Sequence, residues 1–199
     1  MNWFTADLHL GHENISAYCG RPYYSADAMN RDLVRLWNEV VKPDDEVVIL
    51  GDLAMGRISE TLPLVERLAG RKTLLPGNHD RCWPGHRRRK DDPARWLREY
   101  EAVGLQIVYA LSTTVGAKAV RASHFPYSGD SQSEDRFAEH RLVDSGAWLL
   151  HGHVHDAWRQ RGRQINVGVD AWAGMPVSEH ELEALIHEGP RDLGRLPWD

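Results

Sequence analysis

The chain has few cysteines, no long apolar run and no excess of positive charge, and each shortage excludes a class of protein. Its two cysteines, Cys19 and Cys82, lie far apart without C-x-x-C spacing, which argues against a disulfide framework and fits a reducing cytosol. No stretch approaches the roughly 20 apolar residues that span a bilayer, and no signal-like segment opens the chain. A formal net charge of −5 disfavours a protein that coats nucleic acid. We expect a soluble, cytoplasmic protein.

Common nucleotide-binding motifs and internal repeats are also absent. Neither the glycine fingerprint of Rossmann folds nor the P-loop pattern occurs in the sequence, so those phosphate-binding loops are excluded. The 199 residues, of which 42% are hydrophobic, are enough to bury one core of ordinary size. We therefore expect residues 1–199 to form a single domain whose function depends on a different set of residues.

The sequence does contain several short apolar runs, and each is followed by polar side chains. Runs of this length, bounded by glycine and proline, are typical of buried strands. In chain order they lead to Asp7 and His9, to Asp52, to Asn78, His79 and Asp80, to His124, and to His153 and His155. Because sites of open α/β sheets form at the carboxyl ends of strands, we expect these side chains to meet at one sheet edge.

Seven of these side chains offer nitrogen and oxygen atoms of the kind that first-row divalent metals bind. They are Asp7, His9, Asp52, Asn78, His124, His153 and His155. Each one alone is explained equally well as a turn or strand residue. Together they would repel or desolvate one another without a cation, and seven exceed what one ion takes while it keeps an open position. Two ions that share a carboxylate fit the count, as in enzymes of phosphoester hydrolysis.

The order of these motifs resembles that of the calcineurin-like metallophosphoesterases. Asp-x-His at residues 7–9, Gly-Asp at 51–52, Gly-Asn-His-Asp at 77–80, a lone His124 and Gly-His-x-His at 152–155 follow one another along most of the chain. Residues 5–15 and 166–172 resemble a small bacterial and phage branch of the family. The resemblance implies a four-layer α/β/β/α sandwich with mixed sheets.

The resemblance also implies a role for each site residue. Asp7, His9 and His155 would hold the first ion, Asn78, His124 and His153 would hold the second, and Asp52 would bridge both. His79 would lie by the leaving group and Asp80 would orient it. A hydroxide shared by two cations would be the nucleophile, and His79 would protonate the leaving oxygen or hydrogen bond to it. The expected cofactors are two transition-metal ions, Mn above Fe, Ni or Zn.

The sequence departs from the family's protein phosphatases at two places. Those enzymes follow their Gly-Asp with an acidic residue before Arg-Gly, whereas residues 51–57 here read Gly-Asp-Leu-Ala-Met-Gly-Arg, and Asp80 stands in place of glutamate. We therefore expect a phosphodiesterase that acts on a small or flexible phosphodiester. A phosphomonoesterase or nucleotide pyrophosphatase is the alternative, followed by a nucleic-acid processing enzyme or a non-catalytic binding scaffold. Oligomeric state is left open by the sequence.

The loop histidine His12 and a basic run near the middle of the chain can each be interpreted in two ways. His12 follows Gly11 in the loop after the first metal-binding pair, so it either contacts the substrate phosphate or is an exposed loop histidine. Asn78 is a second candidate substrate contact. The run Arg87 to Lys90 is either a solvated loop or a basic flap beside an anionic substrate, and the two aspartates that follow favour the solvated loop.

Residue spacing predicts the remaining elements. Apolar residues at helical spacing predict a helix over residues 26–41, and Ser178 with Glu181 predicts a capping box for the last helix. Three short strands over 106–109, 112–115 and 118–122 are too close for crossover helices, which predicts an antiparallel meander. Residues 128–136 are expected to be flexible, and the tail after Gly189 to be weakly held.

Overall fold

Two mixed β-sheets carry the helices in a computed structural model that describes residues 1–86 and 92–198. The first half contains β1 (Asn2–Thr5), α1 (Ile15–Cys19), α2 (Ala26–Val40), β2 (Glu46–Ile49), α3 (Ile58–Thr61), a 3₁₀ helix (Leu62–Arg67), β3 (Arg71–Leu74) and α4 (Pro93–Ala102). Strands β4 (Leu105–Ile107), β5 (Leu111–Val115), β6 (Lys118–Ala122) and β7 (Leu149–His151) follow, with a 3₁₀ turn at Ala138–His140. The chain ends with β8 (Gln160–Gly162), β9 (Gln164–Asn166), a 3₁₀ turn (Val169–Ala171), β10 (Val177–Ser178), α5 (Glu179–Glu188) and β11 (Arg191–Leu193).

The first sheet has the order β10-β1-β2-β3-β4, and the second has the order β11-β8-β9-β7-β6-β5. Strands β1 to β4 run parallel to one another, and β10 is antiparallel to β1. In the second sheet β6, β7 and β9 are parallel, the edge strand β5 pairs antiparallel with β6, and β8 pairs antiparallel with both β9 and the other edge strand, β11. Parallel strands end at the same edge of their sheet, so this topology decides which loops can meet.

Alternation along the strands places apolar side chains on both faces of the first sheet, because successive residues of a strand point to opposite faces. Val47 and Ile49 of β2 belong to a core shared with α1, α2 and α4. Val48 of β2 and Leu50, which directly follows β2, contact the core between the two sheets instead. Helix α5 packs against β10, β1 and β5 and so contacts strands of both sheets. The predicted metallophosphoesterase sandwich with mixed sheets is thereby confirmed.

The helix predicted over residues 26–41 is confirmed as α2, which Ser25 caps by accepting a hydrogen bond from the Ala28 N–H. The capping box of Ser178 and Glu181 is also present. The predicted three-strand meander was wrong, because β4 pairs parallel with β3 in the first sheet. Helix α4 lies between those two strands and provides the crossover that a parallel connection requires.

Two segments expected to be loose are held by specific contacts. The tail forms β11, which pairs with β8, and the Leu196 N–H donates to the Ala171 carbonyl at 3.0 Å. Residues 128–136 are organised around the buried Asp130. The predicted basic run Arg87 to Lys90 lies outside the described residues. No described helix combines the length and apolar character needed to cross a bilayer.

Candidate metal centre

The predicted site residues follow the carboxyl ends of parallel strands in both sheets. Asp7 follows β1, Asp52 follows β2 and Asn78 follows β3, whereas His124 follows β6 and His153 follows β7. Two of the loops run side by side, since the Asp7 N–H donates to the Gly51 carbonyl and the His9 N–H to the Asp52 carbonyl, both at 3.0 Å. The sequence predicted one sheet edge, whereas the structure brings these residues together from the strand ends of two sheets.

Five of the seven predicted ligands have a left-handed backbone, with φ between 50° and 72°. These are Asp7, His9, Asp52, His153 and His155. Positive φ is uncommon outside glycine, although aspartate and histidine adopt it more readily than most residues. Such conformations persist only where the surrounding structure determines them, and they concentrate at functional sites. In each case the left-handed residue turns the chain sharply just after a strand or loop segment and aims its side chain at the common edge.

Two glycines allow the loops to approach this closely. A side chain on Gly77 would begin 2.3 Å from the Asp52 carboxylate, and one on Gly51 would begin 2.5 Å from the His124 ring. Gly51 also has a φ of 89°, a backbone angle that residues with a side chain rarely adopt. The glycines of the two motifs are thus required for the approach of loops and for the placement of the carboxylate between imidazoles.

Ligand atoms of the seven residues form overlapping groups. One group is Asp7, His9 and His155, and another is Asp7, Asp52 and His124; within each, one ligand atom per residue lies within 4.8 Å of the others. The Asp52 Oδ2 lies 3.6 Å from the His9 Nε2 and 3.5 Å from the His124 Nε2. The Asn78 Oδ1 lies 3.1 Å from both the His124 Nε2 and the His153 Nδ1. Asp52 therefore stands between the two predicted ligand sets.

Buried atoms without hydrogen bonds show that these residues fit a cation. Both ring nitrogens of His9 and the Asp7 Oδ1 are buried and have no hydrogen-bond partner among the described residues. Unpartnered buried polar atoms are rare because they lose water without compensation. A bound cation would supply the missing partner, and the carboxylate, imidazole and amide donors suit a first-row divalent ion.

The electrostatics of the site follow from burial and from the neighbouring charges. Burial lowers the pKa of His9 well below its usual range, so its ring is neutral and can bind metal. Burial alone would raise the pKa of Asp52, but His124 and the other imidazoles hold it well below its usual value. Burial raises the pKa of Asp7 to about 6. Of the two carboxylates among the predicted ligands, Asp52 is therefore the one that keeps its charge.

Three histidines each have one ring nitrogen bound to an oxygen acceptor on the side away from the centre. The His124 Nδ1 donates to the Leu50 carbonyl at 2.7 Å. The His155 Nδ1 and the His153 Nε2 lie 3.0 Å from the carboxylates of Asp170 and Asp130, respectively. Such contacts fix the tautomer and leave the opposite nitrogen available as a ligand.

The Asp170 carboxylate is a supporting group that the sequence motifs did not reveal as such. It is buried and forms a two-point ion pair with Arg21 at 2.7 and 2.8 Å in addition to its bond with His155. Arg21 in turn donates to the carbonyls of Asp7 and Leu8. The ion pair of Arg21 and Asp170 therefore connects the loop that carries Asp7 to His155, which belongs to the same candidate ligand group as Asp7.

The Asp130 carboxylate supports the other histidine of the Gly-His-x-His motif. It accepts from His153 and also pairs with Arg136 at 2.6 Å and Arg141 at 3.4 Å. Its pKa lies below the usual range because these hydrogen bonds outweigh the effect of burial. Asp130 lies in the segment 128–136, which has no apolar pattern, so sequence reasoning gave it no role.

Replacing Asp130 with asparagine is expected to weaken one ion and spare the other. Carboxylates that orient a metal-binding histidine contribute about 10- to 100-fold in metal affinity. Chelator competition with Mn²⁺ should therefore show one of two affinities reduced by that amount. Asp135→Asn is the matched control, since Asp135 lies in the same loop, half exposed, and pairs with Arg141. Equal weakening of both ions, or of neither, would contradict the assignment.

His79, Asp80 and His12 surround this centre in different ways. The His79 side chain is 43% exposed and its Nε2 lies 3.9 Å from the Asp52 Oδ2. Asp80 is buried, and its carboxylate accepts from the backbone N–H groups of Asp52, Leu53 and Gly77. Among the described residues it makes no hydrogen bond to His79, so its observed contacts hold the two loops. The His12 Nδ1 accepts from the Asn14 N–H, and its ring contacts His9 edge-on.

Two facing mixed sheets, with carboxylates and imidazoles collected at their strand ends, define the class of metal-dependent phosphoester hydrolases. The model of the calcineurin-like phosphoesterase family matches residues 3–190, and the chain belongs to that family. Members of this family use divalent metals, and the candidate ligand groups described above are consistent with that chemistry.

Relatives and a solved structure extend the match over nearly the whole chain. The chain is 38% identical over 197 residues to the gene 66 protein of Mycobacterium phage L5, and this alignment covers 93% of each of the two chains. It is 39% identical over 201 residues to the gene 66 protein of Mycobacterium phage D29, covering 94% of this chain and 98% of that one. A protein of unknown function, AQ665 from Aquifex aeolicus, has a TM-score of 0.67 at 25% identity, covering 93% and 98%. The phage relatives confirm the predicted branch.

Proposed function

We propose that the protein hydrolyses a small phosphodiester with two divalent ions. Asp7, His9 and His155 hold one ion, Asn78, His124 and His153 hold the other, and Asp52 lies between them. Support comes from the family, from the two overlapping ligand groups and from the unpartnered atoms of Asp7 and His9. Manganese is the first choice of metal, and iron, nickel or zinc would suit the same donors.

The observation that favours a diester over a monoester is a pair of cavities beside the centre. A cleft of about 760 Å³ is lined by Asn78 and His79. A smaller cavity of about 280 Å³ is lined by His124. Trp83 contributes to the walls of both. A phosphodiester carries two organic groups on its phosphorus, so two cavities lined by proposed ligands or by His79 suit it better than a monoester, which carries one.

The side chains divide the remaining work. Bound divalent ions neutralise phosphate charge and lower the pKa of water, which supplies a nucleophile at neutral pH. His79 is the exposed imidazole of the centre and would give a proton to the leaving oxygen. The His79 backbone N–H donates to the Asp52 Oδ1 at 2.9 Å, which holds this residue beside the proposed ligands. Asp80 keeps this loop in place, and His12 and Asn78 are proposed substrate contacts.

The test combines metal analysis with a matched pair of esters. Protein reconstituted with Mn²⁺ should approach two ions per chain, and its kcat/KM should be higher for bis-p-nitrophenyl phosphate than for p-nitrophenyl phosphate. We expect a preference of about tenfold or more, since filling a second pocket contributes differential binding of that size. A preference for the monoester would favour a phosphomonoesterase. A stoichiometry of one or less argues against two ions, and inactivity on all esters favours a binding scaffold.

A further inference from the structure

The cleft beside His79 has a lining that indicates what kind of group leaves. Its volume of about 760 Å³ lies in the range of small-molecule sites. Met55 and Ile58 give it one apolar wall, and Trp83 and Phe137 give it aromatic side chains. Arg81, Arg136 and Glu139 line the same cleft as the proposed general acid, and the positive charge of Arg81 is the one without a described carboxylate partner. Such a mixture suits a group that has both a flat ring system and a negative charge.

Among the described residues, Arg81 is the arginine of the cleft lining that has no carboxylate partner. Its guanidinium lies 4.5 Å from the centroid of the Trp96 ring, and it forms no salt bridge among the described residues. Arg136, by contrast, directs its Nε and Nη2 to Asp130. Guanidinium groups bind phosphate through paired hydrogen bonds, and stacking on an aromatic ring fixes their orientation. Arg81 is therefore held in place and has its hydrogen-bond donors available for an anion.

The aromatic part of the cleft is held rigidly next to the metal centre. Phe137 has φ of 57°, a conformation that bulky residues rarely adopt. Its ring stacks on Phe125 at 5.2 Å and contacts the His153 ring edge-on at 5.6 Å. Trp83 contacts Phe137 edge-on at 6.0 Å, and a side chain on Gly85 would collide with its indole ring. A strained backbone that positions an aromatic ring beside a site is a feature of ligand-binding segments.

We infer that the cleft binds the leaving arm of the diester and that this arm is a nucleotide. Its ring system would lie against Trp83 and Phe137, and a phosphate of its own would bind Arg81. The inference rests on the proposed function, because it names the substrate class of the same site. The cleft size and the net charge of −5 favour a short nucleotide over a long nucleic acid, which a basic surface would have to attract.

The reaction balances as a hydrolysis. The oxygen of one water forms a new bond to the diester phosphorus, and the bond from phosphorus to the leaving oxygen breaks. That oxygen takes a proton, from His79 in the proposed mechanism, and leaves as a hydroxyl group of the nucleotide. One proton of the water replaces the proton that His79 gives up, and the other is released to solvent or stays on the phosphate product. The phosphate that binds Arg81 takes no part in the chemistry.

The experiment compares three dinucleotides that differ in one phosphate. The three are adenylyl-adenosine without a terminal phosphate, the same dinucleotide with a terminal 5′-phosphate, and the same dinucleotide with a terminal 3′-phosphate. Whichever of the two ester bonds is cleaved, one of the phosphorylated forms then carries a phosphate on the leaving arm. We expect one phosphorylated form to exceed the parent in kcat/KM by about 10- to 100-fold, the range of a hydrogen bond between charged groups. Arg81→Met should remove this preference, and Arg81→Lys should retain part of it.

Matched variants test separately the binding of the phosphate by Arg81 and the stacking of the ring system on Trp83. Arg98→Met removes an exposed arginine of α4 and should keep the preference. Trp83→Leu should lower kcat/KM on all three dinucleotides alike, by about 5- to 100-fold for a lost stacking contact, and leave the phosphate preference intact. Activity on bis-p-nitrophenyl phosphate without any phosphate preference, or a preference that survives Arg81→Met, would overturn the inference alone. Inactivity on every ester would overturn the proposed function and this inference with it.

Discussion

Replacing His79 with alanine is expected to remove most turnover while both ions stay bound. The imidazole is 43% exposed and lies 3.9 Å from Asp52 through its Nε2, and it is outside the groups of candidate ligands. A general acid contributes about 10²- to 10⁴-fold, so kcat should fall by that order. Metal content and the thermal midpoint of unfolding should match those of the wild type. His180→Ala, an exposed histidine of α5, is the matched control and should change neither.

The leaving group provides the sharper measurement on the same variant. Nitrophenolate leaves without a proton, whereas an alkoxide needs one. The loss in kcat for His79→Ala should therefore be small for nitrophenyl esters and large for alkyl esters. An equal loss for both would remove the acid role and leave only positioning or charge stabilisation. Full activity on alkyl esters would refute the mechanism, while a misfolded variant would be recognised by its lost metal.

Asp52→Asn is expected to weaken both ions and to abolish turnover. The carboxylate lies within 3.6 Å of an imidazole of each ligand set and keeps its charge because those imidazoles hold its pKa low. An amide carries no charge, so two cations would lose the group that lies between them. Metal analysis after Mn²⁺ reconstitution should show fewer than one ion per chain. The fold should persist, because the amide oxygen can still accept the His79 N–H that Asp52 now accepts.

The opposite end of the same strand offers a control for this variant. Asp45 immediately precedes β2, its side chain is largely buried, and it accepts from the N-terminal ammonium group and from Trp3. Asp45→Asn changes the same chemical group away from the strand ends that carry the ligands, so metal content and turnover should stay at wild-type values. Two tightly bound ions in Asp52→Asn would show that Asp52 is not the shared carboxylate.

The candidate site was predictable from the sequence because its ligands lie in short motifs directly after apolar runs. Strand, turn and polar side chain are local, and the parallel strands of each sheet deliver their motifs to the same end, but that two sheets share the site was not predicted. The supporting carboxylates lacked such a signal. Asp170 meets Arg21 across 149 positions, and Asp130 lies in a segment without periodicity. Only the folded chain shows that each carboxylate meets one histidine of the same motif.

The fold was predictable to the level of its layers but not of every strand pairing. The strand predicted over residues 106–109 is observed as β4 at Leu105–Ile107, yet nothing local states which sheet a three-residue strand joins. The pairing depends on α4, whose packing returns the chain parallel to β3. Close spacing in sequence suggested a hairpin with β5, and tertiary packing overrode it. The tail was misjudged for a similar reason, since its order comes from pairing with β8.

The left-handed backbones of the candidate metal centre also limit how this protein can diverge. At Asp7, His9, Asp52, His153 and His155 the chain turn itself disfavours branched or bulky replacements, so a proposed ligand can be exchanged only for asparagine, aspartate, histidine or glycine at low cost. Retuning the centre toward a thiolate or a longer carboxylate would require rebuilding a loop. The cleft walls carry no such restriction at Met55 or Arg81. New substrates are therefore accessible by single substitutions in the walls, whereas new metal chemistry is not.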